Sequence, residues 1–168
     1  PFAKLPFAPI MVTSWNDFVL AVTPFLEAID ASSRMIPIGM DIEWDSLSPD
    51  AQRRSFPEII QLAINESQLQ RVLVVSIRRT FPEMVKALDI NGSEYYTIDN
   101  VENWCTKHNL LFRLFTNPKT VLVGVGVAGD MTRMLNNFPE SFVGSVGSHN
   151  IHDCAKIAEK HGLLFSKQ

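Results

Sequence analysis

The sequence predicts an α/β fold in which a mixed β-sheet carries helices on both faces. Apolar residues recur at helical spacing over residues 15–31, near the start of the chain. Three short apolar segments then follow in close succession, at 35–40, 59–64 and 72–77, as expected for an antiparallel meander. Beyond residue 100, helical and apolar segments alternate, which is typical of strands joined by helical crossovers.

The first helix is preceded by an extended arm, residues 1–10, which is rich in proline and phenylalanine. Thr13 or Ser14 can cap the helix over residues 15–31, and Asp17 lies in its first turn, where an acidic side chain is favourable. Pro24 interrupts the helical pattern and predicts a kink or a break there.

The meander begins with residues 35–40, which are almost wholly apolar and lead directly into Asp41 and Glu43. A strand of this kind is expected at the centre of a sheet rather than at its edge. A polar connection, residues 45–55, separates it from the second strand at 59–64. The turn at 65–70 then joins that strand to the third, at 72–77.

Helices and strands alternate in the second half of the chain. We expect a short helix at 83–88, an amphipathic helix at 101–115 and a strand at 121–127. Asp130 closes that strand and begins the next helix, which carries Met131 and Met134. A short strand at 148–151 and a helix at 153–161, ended by Gly162, complete a single domain over residues 1–168.

The composition indicates a globular domain of 168 residues with a net charge of −3. This charge argues against a protein that coats nucleic acid by non-specific electrostatic attraction. It is compatible with an enzyme that binds the end of a strand through bound metal. No apolar run is long enough to span a membrane. Because Cys105 and Cys154 show no disulfide pattern, we expect an intracellular protein, nuclear or cytoplasmic. The chain begins with Pro1, which predicts excision from a longer protein with other domains.

Three carboxylates in two short motifs form the candidate site. Asp41 and Glu43 are two residues apart in a strand, so their side chains point to the same face. Adjacent carboxylates repel each other unless a cation lies between them, and hard divalent cations prefer oxygen ligands. Asp130 follows the second apolar strand. Two acidic strand ends that lie side by side predict a shared metal site.

Two other patterns allow different chemistry. Four residues of types that bind zinc cluster near the C-terminus, namely His149, His152, Cys154 and His161. No paired cysteines accompany them, and packing or surface positions are the commoner roles of such residues. The pattern Gly-x-Gly-x-x-Gly at 124–129 follows a strand, as in dinucleotide-binding folds, but Asp153 lies late for the ribose contact of such a site. These glycines also suit a close approach of backbone and helix.

The order of the motifs resembles that of the DEDD superfamily of 3′–5′ exonucleases, most closely its Werner-syndrome-type and RNase D-type branch. The segment Gly39-x-Asp41-x-Glu43-Trp44 is similar to the first exonuclease motif of that family. Residues 60–63 resemble the strand that follows this motif, residues 123–130 the second motif, and residues 151–158 a later strand-to-helix segment. The resemblance covers about residues 34–165, apart from the stretch at 89–99.

The resemblance implies a ribonuclease H-like fold and two divalent ions, Mg²⁺ or Mn²⁺, that act on the terminal phosphodiester. One ion would ready a water for attack and the other would stabilise the leaving 3′ oxygen. Carried over, Asp41 would bridge both ions, Glu43 would hold the ion on the nucleophile side, and Asp130 would hold the other. The implied partner is the single-stranded 3′ end of RNA or DNA, with Trp44 and Arg133 as candidate contacts. Arg53, Arg54, Arg78 and Arg79 are further candidates for phosphate contacts.

The chain departs from the family at the third exonuclease motif, which is a Tyr or His followed by a fourth Asp. No residue after Leu163 can supply it. His149 and Asp153 have a matching spacing, but they follow Asp130 closely and lie where the family has a non-catalytic strand. We therefore expect the domain to lack its C-terminal part. A non-catalytic exonuclease-like domain that binds RNA or a protein partner is the alternative function.

Overall fold

The computed structural model of the chain describes residues 8–44, 57–66, 69–82, 110–137 and 150–162. Its strands are β1 (Ile10–Val12), β2 (Ile36–Trp44), β3 (Pro57–Glu66), β4 (Leu69–Ser76), β5 (Thr120–Gly124) and β6 (Ile151–Asp153). Its helices are α1 (Trp15–Ala31), α2 (Ile77–Thr80), α3 (Leu110–Thr116), α4 (Val127–Asn137) and α5 (Cys154–Lys160). Within these ranges, no helix is long and apolar enough to cross a membrane.

The six strands form one mixed sheet in the order β1-β4-β3-β2-β5-β6. The meander of β2, β3 and β4 is antiparallel. In contrast, β1 pairs parallel with β4, β5 with β2, and β6 with β5. The strand that carries Asp41 and Glu43 is therefore central, as predicted, and the mixed α/β fold class is confirmed.

Local sequence explains the first helix well. The Ser14 Oγ accepts a hydrogen bond from the Asp17 backbone N–H at 3.1 Å, so Ser14 is the capping residue of the two that were predicted. The helix runs through Pro24 without interruption, and the predicted break does not occur. Its buried side chains belong to the central core, and this packing stabilises the helix despite the missing N–H of the proline.

One face of the sheet forms the hydrophobic core. Alternate residues of β2, from Ile36 to Ile42, are at most 5% exposed, and they pack with equally buried residues of β3, β4 and β5. Buried side chains of α1, α3 and α4 join the same core. The intervening residues of β2 form a second face of the sheet, on which Pro37, Asp41 and Glu43 are exposed. The core therefore lies on one side of β2 and the candidate acids lie on the other.

Several boundaries differ from the predictions where short segments pair with distant ones. Ile10, the last residue of the predicted arm, begins β1, and Ile77 begins α2 instead of ending a strand. The sixth strand covers Ile151–Asp153 rather than residues 148–151. A strand of three residues carries too little alternation for its bounds to be predicted. Its distant pairing partners stabilise it instead. The segments predicted at 1–7, 45–55, 83–88 and 101–109 lie outside the described residues.

Candidate active site

The two acids of the first motif lie on the second face of β2, as their spacing predicts. Asp41 and Glu43 are both exposed, whereas Ile42 between them is 5% exposed and faces the core. Across the antiparallel ladder, Gln61 is paired with Asp41 and Ile59 with Glu43. Gln61 is a neighbour of the site that the sequence interpretation did not single out. Its signal is a polar residue inside the otherwise apolar segment 59–64.

A change of register ends the regular pairing of β2 with β3 between Glu43 and Trp44. Such a bulge bends a strand and redirects the side chains that follow it. The Trp44 indole N–H donates a hydrogen bond to Asp130 Oδ1 at 2.9 Å. This bond joins the two motifs directly, across a separation of 86 residues in the chain.

Two glycines bring α4 to the end of β2. A Cβ at Gly124 would collide with the Met40 carbonyl oxygen and would lie 2.6 Å from a methyl carbon of Val127. Gly126 then turns the chain with a φ of +75°, a conformation that favours glycine, and α4 begins at Val127. This geometry fits the close approach of backbone and helix that the glycine pattern allows.

Asp130 therefore lies in the first turn of α4 and not at a strand end. The prediction that the second apolar strand runs to Val127 is wrong, because β5 ends at Gly124 and the glycine turn intervenes. The first turn of a helix is a favourable place for an acidic side chain, since the unpaired N–H groups there carry partial positive charge. The second motif thus presents its carboxylate from a helix rather than from a strand.

Arg133 lies one turn after Asp130, and its guanidinium carbon is 4.0 Å from the centroid of the Trp44 ring. A cation over an aromatic face is attracted by the ring quadrupole, so this contact favours the observed position of the indole. The contact and the hydrogen bond together connect Trp44, Asp130 and Arg133 into one cluster, which we call the Trp44 cluster. Whether Trp44 and Arg133 also contact nucleic acid stays a prediction.

The environment of Asp130 raises the pKa of its carboxyl group above the ordinary value of 3.8. Partial burial is the largest cause, and the negative charge of Asp41 acts in the same direction. The hydrogen bond from Trp44 and the charge of Arg133 lower this pKa without cancelling the increase. The influence of Asp41 on Asp130 means that the carboxylates of the two motifs repel each other across the site. A bound cation would offset this repulsion.

The candidate acids offer oxygen ligands only, which is the donor chemistry that Mg²⁺ and Mn²⁺ prefer. Among the described residues, however, no three His, Cys, Asp or Glu side chains are gathered closely enough to hold a metal ion. Asp130 Oδ1 instead accepts the hydrogen bond from Trp44. The types of donor and the repulsion between Asp41 and Asp130 fit a divalent ion, while the present positions of the three acids do not form a closed group.

The other candidate constellations receive less support. His152 is an exposed residue of β6 and Cys154 is half-buried at the start of α5, whereas His149 lies outside the described residues. Asp153 caps α5, because its Oδ1 accepts a hydrogen bond from the Ala155 N–H at 3.0 Å. The carboxylate of Asp153, considered both for a ribose contact and for the third exonuclease motif, is therefore engaged in stabilising a helix end.

Solved structures are similar to this fold, although no protein-family model and no curated protein sequence matches the chain. The catalytic core of RRP6 from Trypanosoma brucei is 14% identical with a TM-score of 0.62, over 98% of this chain and 34% of that one. The Nibbler EXO domain from Aedes aegypti is 14% identical with a TM-score of 0.57, over 97% of this chain and 61% of that one. The EXD2 exonuclease domain is 15% identical with a TM-score of 0.52, over 96% of this chain and 66% of that one.

The chain thus spans from about one third to two thirds of the length of these proteins. Crystals of the EXD2 domain were soaked in Mn, and that structure also has a TM-score of 0.52. Similarity at this low identity establishes the fold and not the activity. The chain has a ribonuclease H-like fold, to which these solved structures are similar.

Proposed function

We propose that the chain is a metal-dependent 3′–5′ exonuclease domain that hydrolyses the terminal phosphodiester of single-stranded RNA or DNA and releases nucleoside monophosphates. The observation that carries the proposal is the hydrogen bond between Trp44 and Asp130. It joins the tryptophan of the first motif to the acid of the second motif, distant in the chain, and supports a site at this point of a fold that exonuclease domains share. The motif around Asp41, Glu43 and Trp44 supports the Werner-syndrome-type and RNase D-type branch.

In this proposal, Asp41, Glu43 and Asp130 hold two ions, Mg²⁺ or Mn²⁺. When bound, such ions supply an activated water and stabilise the leaving 3′ oxygen. Trp44 orients Asp130, because the indole N–H occupies one carboxylate oxygen and leaves the other oxygen available. The contact of Arg133 with the ring fixes the indole in turn.

A non-catalytic domain that binds nucleic acid or a protein is the second candidate. The observation that favours it is the lack of a closed group of three ligands within the described ranges. The two functions differ in their need for metal, because a binding domain does not require the acids to hold an ion. Metal affinity therefore separates the candidates more directly than nucleic-acid binding does.

Calorimetric titration with Mn²⁺ tests the proposal, and the matched variants are Asp41→Ala and Glu27→Ala. Glu27 is an exposed acid of α1 and lies outside the candidate site, so its removal changes the net charge equally. We expect Asp41→Ala to weaken Mn²⁺ binding at least about tenfold, since loss of a group that only supports a ligand already costs that much, and Glu27→Ala to leave it unchanged. Equal binding by the parent and Asp41→Ala would contradict the metal site. Degradation of a 5′-labelled oligonucleotide in Mn²⁺, lost in Asp41→Ala, would establish the activity.

A further inference from the structure

Rows of paired residues lead across the second face of the sheet, away from the candidate acids. Asp41 is paired with Gln61, Gln61 with Val74, and Val74 with Met11. Paired residues of neighbouring strands share a face, so these four side chains lie on the same side of the sheet. The acidic end of β2 is therefore continuous with a surface on β3, β4 and β1.

A second row runs beside the first, from Glu43 to Ile59 and then to Ser76. Neighbouring strands are separated by about 4.8 Å, so β4 lies roughly 10 Å and β1 roughly 14 Å from β2. The rows thus extend well beyond the reach of a single phosphodiester bound at the acids. A polymer held at the acids would have room to continue along them.

An open pocket of about 370 Å³ lies at the far end of these rows. Its lining includes the apolar side chains of Met11, Ile59 and Val74 together with Arg78 and Arg79, and we call it the β4–β1 pocket. Met11 is 60% exposed, which is unusual for a large apolar side chain on a paired strand. The pocket therefore combines an exposed apolar floor with two guanidinium groups.

The charges of the β4–β1 pocket suit a phosphate-bearing ligand. Arg78 and Arg79 are consecutive exposed residues of α2, which follows β4 directly. Guanidinium groups bind phosphate oxygens in paired hydrogen bonds, and apolar side chains offer surface to the faces of unpaired bases. Glu58 also lines the pocket and reduces this attraction, so the side chains of the pocket carry a net charge of about +1.

We infer that the β4–β1 pocket binds the nucleotides that precede the 3′ end of the single-stranded substrate. This inference rests on the proposed function, because it is the polymer held at Asp41 and Glu43 that continues along the rows. The way in which the protein can bind a phosphate changes along this path. The acidic end needs cations to accept a phosphate, whereas the arginine end accepts phosphates by itself. A protein partner would explain the arginines, but not their continuity with the acids.

Fluorescence anisotropy with labelled oligonucleotides of about three and about twelve nucleotides, in EDTA, tests the inference. The double variant Arg78→Gln/Arg79→Gln is compared with Lys156→Gln/Lys160→Gln, which removes the same charge from exposed positions of α5. We expect the arginine variant to bind the longer oligonucleotide about tenfold more weakly and to lower the salt slope by about two. The lysine variant should lose no more than about twofold. Because the acids hold no cation in EDTA, the shorter oligonucleotide should bind all three proteins much more weakly than the longer one binds the parent.

Equal losses in the two double variants would overturn the inference, since they would indicate general charge attraction. An unchanged affinity of the arginine variant, or no binding of either oligonucleotide to the parent, would overturn it as well. Glu58→Gln provides a test that does not depend on the folding of the arginine variant. Removal of the opposing carboxylate should strengthen binding of the longer oligonucleotide about twofold to fivefold, and weaker binding would contradict the inference.

Binding in EDTA also separates this inference from the proposed activity. If the parent never degrades an oligonucleotide but the arginine variant loses binding, the exonuclease proposal fails and the β4–β1 pocket stands. If the parent degrades oligonucleotides of both lengths and the arginine variant degrades both equally well, the activity stands and the pocket fails. In the case where both hold, the arginine variant should lose degradation of the longer oligonucleotide at low concentration only, because its acids are intact.

Discussion

The two faces of β2 are formed by alternate residues of one strand, yet one face is buried and the other is exposed. Ile36, Ile38, Met40 and Ile42 face the core and are at most 5% exposed. On the other face, Asp41 and Glu43 are exposed, and the negative charge of Asp41 repels that of Asp130. The residues that stabilise the core and the residues of the candidate site therefore lie on opposite faces of one strand. Substitutions on the first face should cost stability, and substitutions on the second should cost ligand binding.

The largest expected effect is that of Ile42→Ala, which opens a cavity between the two acids but on the core face. Ile42 is 5% exposed, and truncation of such a side chain lowers the free energy of unfolding by about 2–5 kcal/mol. Chemical denaturation measures the loss. Asp41→Ala is the matched neighbour on the exposed face and should cost less than about 0.5 kcal/mol. Similar losses in the two variants would show that the two faces do not differ in their contribution to stability.

The next effect is that of Gly124→Ala, which adds a methyl group at the point where β5 meets β2. The new Cβ would collide with the Met40 carbonyl oxygen, which is backbone and cannot rotate away. We expect the free energy of unfolding to fall by about 1–3 kcal/mol. Gly129→Ala is the control, because its Cβ would meet nothing within 4 Å and alanine favours the helix. A tolerated Gly124→Ala would contradict the close approach of the two strands.

A smaller effect is expected for Trp44→Phe, which retains an aromatic ring beneath Arg133 but removes the N–H that Asp130 accepts. Loss of this hydrogen bond should cost about 1 kcal/mol, since the half-buried carboxylate can recover part of it from water. It should also raise the pKa of Asp130 further. A double-mutant cycle with Asp130→Ala checks the coupling. Additive losses would show that the hydrogen bond does not join the motifs in solution.

The smallest effect is expected for Asp130→Asn, which retains an oxygen acceptor for Trp44 and removes the repulsion from Asp41. The folded state raises the pKa of Asp130, so its contribution to stability is complete below pH 3.8 and is lost as the pH rises through the raised pKa. Neutralising Asp130 should therefore leave the melting temperature at pH 7 in EDTA equal or slightly higher, with no gain below pH 3.8. A large decrease at pH 7 would assign Asp130 a structural role.

Local physics determined much of this protein from its sequence. The cap at Ser14, the apolar face of α1 and the alternation through Ile42 each act within a few residues, so they predict α1, the meander and the shared face of Asp41 and Glu43. The central position of β2 followed from its apolar residues on both sides of the pleat. The ribonuclease H-like fold was implied instead by the resemblance of the ordered motifs to a known family.

Tertiary structure alone decided how distant segments meet. Parallel pairing placed the three-residue strand β1 beside β4, although nothing within Ile10–Val12 specifies that partner. The turn at Gly126 separates the end of β5 from α4, and Trp44 contacts Asp130 in the first turn of that helix, as predicted only in part. The pairing of β3 with β4 likewise placed Ser76, which leads into Arg78 and Arg79, beside Ile59, the partner of Glu43. These features depend on contacts between residues far apart in the chain, which no local pattern of side chains encodes.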